Sequence, residues 1–362
     1  MPAALTIRNL RSVGVEVPMT YALGTSRGAI TRAPLLLIDL ETEEGVTGRA
    51  YLWCYLPQAM TAAASLLDAV LEAVKGDALA PVELHGKLSR RFALIGVQGI
   101  VRMAMAGFDM AAWDALSKAA DMPLGRFLGG GASRVLAYNS CGLGLMPADR
   151  LADEAEKLLA GGFGAVKLRL GYPTLAEDLV AVRAVRKRIG DGVRLMVDYN
   201  QALTLAQALE RGRALDAEGI YWLEEPIRHD DFRGCATLAR ELRVPIQIGE
   251  NFSGTGDMLD AIELPACDYV MPDLERIGGV TGWLRAAAIA ATRRIEMSSH
   301  LFPEISAHLL AATPTCHYLE YVDWADKVLE EPLRIENGHA VVPERAGNGL
   351  AWNARAVEKF RA

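Results

Sequence analysis

Three carboxylates, Asp198, Glu224 and Glu250, each close a short apolar run, and the runs stand a helix-length interval apart. Leu195-Met196-Val197 precedes Asp198, Tyr221-Trp222-Leu223 precedes Glu224, and Pro245-Ile246-Gln247-Ile248-Gly249 precedes Glu250. If these runs are successive parallel strands, the acids converge at one rim. Three hard oxygen ligands at neighbouring strand ends suit an octahedral divalent cation such as Mg2+, one per subunit, with positions left for water and substrate. A single acid at a strand end is more often a helix cap or a solvated loop residue. Three at regular βα spacing favour a metal site.

Other residues of the same stretch could work beside such an ion. In Val166-Lys167-Leu168-Arg169-Leu170 the alternation points Lys167 and Arg169 to one face. A cation near Lys167 would lower its pKa and leave it able to bind or deprotonate a carboxylate substrate; a salt bridge to a barrel acid is the plainer reading. Met271-Pro272-Asp273 and Ser298-Ser299-His300 end two further runs, and an Asp one strand from a His can fix the imidazole tautomer and make it a better base. Glu320, at the end of the last run, is a candidate acid able to give its proton to a developing oxyanion. His85, His229, His308, His317 and His339 fall on helices, loops or strand starts and carry no assigned role.

The elements that must position these groups follow from periodicity. Strand-like runs at 135–138, 165–170, 194–200, 220–226, 245–251, 269–273, 296–301 and 317–322 alternate with amphipathic segments at 149–160, 175–189, 203–217, 231–242, 256–264, 281–292 and 305–312. Eight strands and seven helices predict an α/β fold, a modified TIM barrel of (β/α)7β type, whose active residues sit at strand C-termini. Before it, β-rich runs at 5–16, 34–41 and 46–52 and helical spacing over 58–74, 81–93 and 99–120 predict an N-terminal α+β capping domain over residues 1–133, closed by Gly129-Gly130-Gly131. The barrel spans 134–323. The tail, 324–362, carries a hairpin-like Glu336-Asn337-Gly338-His339-Ala340 and is expected to fold back on the capping domain. The polar stretch 22–32, with two Gly, is longer than a hairpin needs and reads as a disordered connection or a mobile lid.

Composition narrows the partners. With 362 residues, half of them hydrophobic, the chain can bury a large core, and its net charge of −7 argues against a nucleic-acid or anionic-membrane surface. Five cysteines without CxxC spacing read as reduced thiols of a cytoplasmic protein. The N-terminus lacks a signal-peptide pattern, and the Ala-rich segment 59–74, with Asp68 and Glu72, is too short and charged to span a bilayer. A small-molecule ligand is the expected partner.

Together these positions resemble the enolase superfamily and, within it, the mandelate racemase subgroup. The likeness runs through Ala33-Pro34-Leu35, the segment 102–116, Val197-Asp198-Tyr199-Asn200, Arg276-Ile277-Gly278-Gly279-Val280-Thr281-Gly282-Trp283 and Met297-Ser298-Ser299-His300-Leu301-Phe302. It implies that Asp198, Glu224 and Glu250 hold Mg2+, that His300 with Asp273 is a base, and that Glu320 hydrogen-bonds a substrate carboxylate. Ser140 and Asn200 match polar neighbours of metal and substrate. Residues 21–31 match a loop capping the pocket, so that Leu23, Arg27 and Ile30 fall among substrate contacts, and Tyr55 is expected to join them. The implied chemistry is removal of the proton alpha to a carboxylate through an enediolate, in a homo-oligomer.

One departure matters. The racemase pattern on the second strand is Lys-x-Lys, and here its second position is Arg169, whose guanidinium, with a reference pKa of about 12.5 or more, is a poor proton acceptor. Whole-chain likeness puts racemisation of a 2-hydroxy acid first. Dehydration of an acid sugar with His300 as the single base is the alternative, and a binding protein that keeps the fold without activity is the third reading. Arg27 and Arg32 add charge to the cap loop and hint at a polar or anionic substrate tail, while Leu23 and Ile30 remain apolar enough to enclose a ring.

Overall fold

The computed structural model describes residues 5–26 and 28–362. Its chain starts with a three-stranded antiparallel sheet, β1 (Ile7–Thr25), β2 (Gly28–Thr42) and β3 (Thr47–Trp53), in the order β1-β2-β3. Helices α1 (Pro57–Val74), α2 (Pro81–Arg91) and α3 (Gly99–Ala119) follow, and the first two carry Pro in the first turn, where a missing N–H costs no hydrogen bond. β3 lies hard against α3: a Cβ on Gly48 would stand 1.9 Å from the Ala111 carbonyl oxygen, so only glycine allows this approach. A short helix α4 (Leu124–Phe127) leads out of the cap.

The barrel strands are β4 (Arg134–Asn139), β5 (Ala165–Arg169), β6 (Arg194–Asp198), β7 (Ile220–Glu224), β8 (Ile246–Ile248), β9 (Tyr269–Val270) and β10 (Leu319–Tyr321). Between them run α5 (Ala148–Leu158), α6 (Leu175–Ile189), α7 (Leu205–Leu215), α8 (Phe232–Glu241), α9 (Thr255–Glu263), the four-residue α10 (Leu274–Ile277), α11 (Gly279–Arg293) and α12 (Pro303–Ala311). Local chemistry starts these helices where the periodicity predicts. Thr174 with Glu177 and Thr204 with Gln207 form reciprocal capping boxes at α6 and α7. β4 to β9 pair in parallel in sequence order, and β10 pairs with β4. Where a seventh strand is expected, over 296–301, only isolated bridges form, Val270 to Met297, Met297 to Cys316 and Asp273 to His300. Backbone bonds from Ser298 N to Val270 O and from Ser299 N to Tyr318 O nonetheless carry the ladder from β9 to β10. An aromatic cluster of Tyr138, Trp222 and Tyr318 is buried together with Ala165 and Met196 of the neighbouring strands.

Two expectations change. Residues 22–32 are not a long connection: β1 and β2 stay paired to Thr25 and Gly28, with register shifts between Ile7 and Asn9 and between Pro18 and Leu23. Pairing of the extended backbone satisfies polar groups that a loop would leave to water. The tail divides its contacts. Its hairpin, β11 (Ile335–Glu336) and β12 (His339–Val341), adds antiparallel to β4, while the stretch beyond it returns to the cap, where Asn348 Nδ2 donates to Arg49 O at 2.7 Å. The final helix, α13 (Ala354–Phe360), lies beside β1. No helix among the described residues is long and apolar enough to cross a membrane.

Candidate active site

Asp198 and Glu224 are the last residues of β6 and β7, and Glu250 stands two residues beyond β8. Parallel pairing of Asp198 with Glu224 in register sets the first two side by side. Each of the three offers a carboxylate oxygen within 4.8 Å of the others, and all are buried. Neighbours fix their orientation. Asn200 Nδ2 donates to Asp198 Oδ2 at 3.0 Å, Trp222 Nε1 to Glu224 Oε2 at 3.0 Å, and Asn251 Nδ2 to Glu250 Oε1 at 3.2 Å. Burial pushes the Glu224 carboxyl well above the ordinary range, and Asp198, Glu320 and Glu250 add to this against the opposing pull of Lys167. Three buried carboxylates with oxygens converging on one point fit a hard divalent cation.

Lys167 is the cation among them. Its Nζ lies 2.5 Å from Glu224 Oε1, 2.8 Å from Glu320 Oε1 and 3.4 Å from Asp198 Oδ2. Burial would lower its pKa, but Glu224, Glu320 and Asp198 outweigh it and hold the ammonium well above its usual value. The salt bridge to barrel acids weighed from the sequence is present. Although burial raises the Glu320 carboxyl, Lys167 and His300 hold it far below the ordinary range, and it accepts from Leu301 N at 2.9 Å.

His300 Nδ1 and Asp273 Oδ2 are 2.7 Å apart. The other oxygen of Asp273 accepts from Glu275 N and Arg276 N at the start of α10, so one carboxylate both caps a helix and aims an imidazole. That leaves Nε2 facing the pocket, 3.3 Å from Glu250 Oε2 and 3.9 Å from Glu320 Oε2. Burial opposes the imidazolium, but Glu250, Glu320 and Asp273 raise the His300 pKa above its ordinary value.

Arg169 is 3% exposed and committed to the end of β4. Its Nη1 donates to the carbonyls of Ser140 at 3.0 Å and Gly142 at 2.7 Å, and Nη2 donates to Ser140 Oγ at 3.1 Å. Ser140 therefore stands behind Arg169, fully buried, and does not line the pocket. Lys167, Arg169, Asp198, Asn200, Glu250, His300 and Glu320 all border one cavity of about 260 Å3. Glu224 and Asp273 sit just behind its wall, bonded to Lys167 and His300.

The outer wall is apolar. Leu23, Thr25 and Ile30 come from the β1–β2 hairpin, joined by Trp53, Tyr55, Leu301 and Trp324. Arg27 lies outside the described residues. Arg32 points away, its Nε 3.3 Å from Glu16 Oε2, so it adds no charge to the pocket. Backbone strain gathers around the site: Tyr55, Asn200, Gln201, Glu225, Leu301 and Phe302 all have positive φ. Sequence reasoning passed over Glu225, Arg276 and the two tryptophans. Glu225 is buried beside Glu250 with its pKa pushed up to about 8, first by burial and then by Glu250. Arg276 stacks over Tyr55 at 4.9 Å and donates to Glu250 O at 2.8 Å. Only its place in the Arg276-Ile277-Gly278-Gly279 run could have flagged it. A larger cavity of about 690 Å3, against Glu304, Arg334 and Arg345, holds none of the strand-end acids.

A parallel barrel under an α+β cap, with three carboxylates and an Asp–His pair at its strand ends, defines a metal-dependent enzyme scaffold. Residues 7–129 match the mandelate racemase / muconate lactonizing enzyme N-terminal domain and residues 150–356 the enolase C-terminal domain-like family. The chain belongs to the enolase superfamily, in its mandelate racemase and muconate lactonizing enzyme group. It is 42% identical to an enolase from alpha pretobacterium bal199 crystallised with bound magnesium, with a TM-score of 0.97 over 99% of this chain and 100% of that one. A Bradyrhizobium enolase complexed with magnesium and mandelic acid is 38% identical, with a TM-score of 0.95 and full coverage of both chains. The L-talarate/galactarate dehydratase of Salmonella typhimurium is 32% identical over 76% of this chain and 69% of its own.

Proposed function

We propose that the protein is a Mg2+-dependent enzyme that removes the α-proton of a 2-hydroxycarboxylate from one face and completes a β-elimination, as an acid dehydratase. The observation that carries this reading is Arg169: its terminal nitrogens are spent on Ser140 and Gly142, so the position opposite His300 holds a fixed donor and no base. Lys167 is itself taken up by Glu224, Glu320 and Asp198. The likeness to a talarate/galactarate dehydratase points the same way.

Asp198, Glu224 and Glu250 would hold the ion, whose positive charge makes the substrate carboxylate a better electron sink. His300 Nε2 takes the α-proton, while Asp273 keeps Nδ1 protonated and stabilises the imidazolium that forms. The C–H electron pair moves into the carboxylate to give an enediolate, with the Lys167 ammonium beside it. As the enediolate collapses, its electrons form the Cα–Cβ double bond and the β-hydroxyl leaves, taking a proton from His300 to depart as water. The enol left behind tautomerises to a 2-keto-3-deoxy acid. The apolar wall of Leu23, Ile30, Trp53 and Tyr55 keeps bulk water from the enediolate.

Racemisation is the second reading, favoured by that same wall and by the mandelic acid bound in the Bradyrhizobium relative. The two separate cleanly. Incubation of 2,3-dihydroxy acids with Mg2+ in D2O should give α-deuterium exchange from one enantiomer together with a 2-keto product, both abolished by His300→Asn. Exchange from both enantiomers with loss of optical activity and no keto acid would establish racemisation.

A further inference from the structure

Asp273 and His300 are each followed, within a few residues, by a buried carboxyl that bonds the same strand of the cap. Glu275, two residues after Asp273, accepts from Trp53 N at 3.2 Å, and Glu304, four residues after His300, accepts from the Tyr51 hydroxyl at 2.7 Å. Tyr51 and Trp53 both belong to β3, and Trp53, with Tyr55 just beyond the strand, walls the 260 Å3 cavity. In both acids the second carboxyl oxygen is buried and has no hydrogen-bond partner among the described residues. Fastening two elements in that way costs free energy that an apolar contact would not, so stability alone does not account for these two acids.

We infer that Glu275 and Glu304 are positioning residues that latch β3 of the cap to the Asp273–His300 pair, an assignment that rests on the reading of His300 as the base. Two short paths carry the coupling. Glu275 N and Arg276 N both donate to Asp273 Oδ1, so a shift of Glu275 moves the carboxylate whose other oxygen faces His300 Nδ1. On the second path Leu301 and Phe302, which lie between His300 and Glu304, both have positive φ, and such a turn persists only where its surroundings over-determine it. Tyr51 holds that turn twice, by its hydroxyl on Glu304 and by its ring, 5.1 Å from the ring of Phe302. Trp53 completes the strand's seat by packing on Trp324 at 4.5 Å, and both indoles line the cavity. A substrate seated against this wall therefore bears on the strand that aligns the base.

The test compares Glu275→Ala, Glu275→Gln and Tyr51→Phe with wild type in two readouts. One is kcat and KM for α-proton exchange in D2O with Mg2+ and a 2,3-dihydroxy acid; the other is the downfield NMR signal of the His300 Nδ1 proton donated to Asp273. Glu275→Ala and Tyr51→Phe should each lose about 10- to 100-fold in kcat, the scale of a slightly misplaced catalytic group, with KM changed less than about threefold. Both should also shift or broaden the Nδ1 signal. Glu275→Gln keeps an acceptor for Trp53 N and should stay within about threefold of wild type in kcat. Tyr51→Phe, which removes a single oxygen, carries the test if Glu275→Ala does not fold. A lowered melting temperature with kcat and the Nδ1 signal unchanged, or a rise in KM alone, overturns the inference and leaves His300 as the base. Exchange that survives in His300→Asn overturns that reading, and the inference with it.

Discussion

His300 Nε2 stands 3.3 Å from Glu250 Oε2, so the proposed base and a candidate metal ligand share one patch of charge. Glu250 is the largest of the influences raising the His300 pKa above its ordinary value. Neutralising Glu250 with a divalent cation removes that influence, and burial then pulls the imidazole down. We expect addition of Mg2+ to lower the His300 pKa, so that the free base appears at lower pH. Titration of the imidazole carbon-bound proton by NMR, with and without Mg2+, reads this directly. An unmoved titration would mean that the ion does not bind at Glu250.

Arg169→Lys restores a titratable amine opposite His300. General-base catalysis contributes at least about 100-fold, so exchange from the enantiomer that wild type ignores should rise by that order. The measurement is deuterium incorporation into each pure enantiomer. No gain, in a variant that still exchanges the first enantiomer, would show that this face does not meet the substrate.

The hairpin that covers the pocket rests on glycine. A Cβ on Gly144 would lie 2.6 Å from Gly24 O and 2.8 Å from Gly24 Cα, and Leu145 N donates to Gly24 O at 3.2 Å. Gly144→Val should lift the β1–β2 tip from its seat, raising KM about tenfold, the loss of about 1.4 kcal/mol of binding, with little change in thermal stability. Unchanged KM would show that the tip does not close the site.

Glu304 is a buried acid whose pKa is pushed up to about 7 by burial, against the Tyr51 hydroxyl that donates to it at 2.7 Å. The folded chain therefore holds this proton more tightly than the unfolded chain, whose carboxyl titrates near 4.5. Stability from this group is fully present below about pH 4.5 and is lost as pH rises through about 7, by about 3 kcal/mol. Glu304→Gln keeps an acceptor for Tyr51 and should flatten the fall. Urea unfolding at pH 5.5 and 8 measures it, and an equal pH dependence in both proteins would remove Glu304 as the cause.

Much of the machinery was legible in the chain because it obeys local rules. Strand-end acids separated by βα units give Asp198, Glu224 and Glu250, and alternation along β5 puts Lys167 and Arg169 on one face. The seventh strand is an instructive miss. Its residues have strand character, yet Pro272 and the turn into α10 leave only bridges at Met297 and His300. The hairpin tip was hidden for the opposite reason: Gly24 and Gly28 signal a loop, and only pairing over many residues and docking on Gly144 straighten it.

By itself the sequence determined which residues share a rim, because strand and helix periods are set by backbone geometry within a few residues. Tertiary structure alone decided their chemical states. Whether Lys167 is charged, whether Glu320 keeps a proton and where the guanidinium of Arg169 points all depend on partners such as Glu224 and Ser140, tens of residues away along the chain. Electrostatics and hydrogen bonding act through space at a few ångströms, and that distance is fixed only once the barrel has folded.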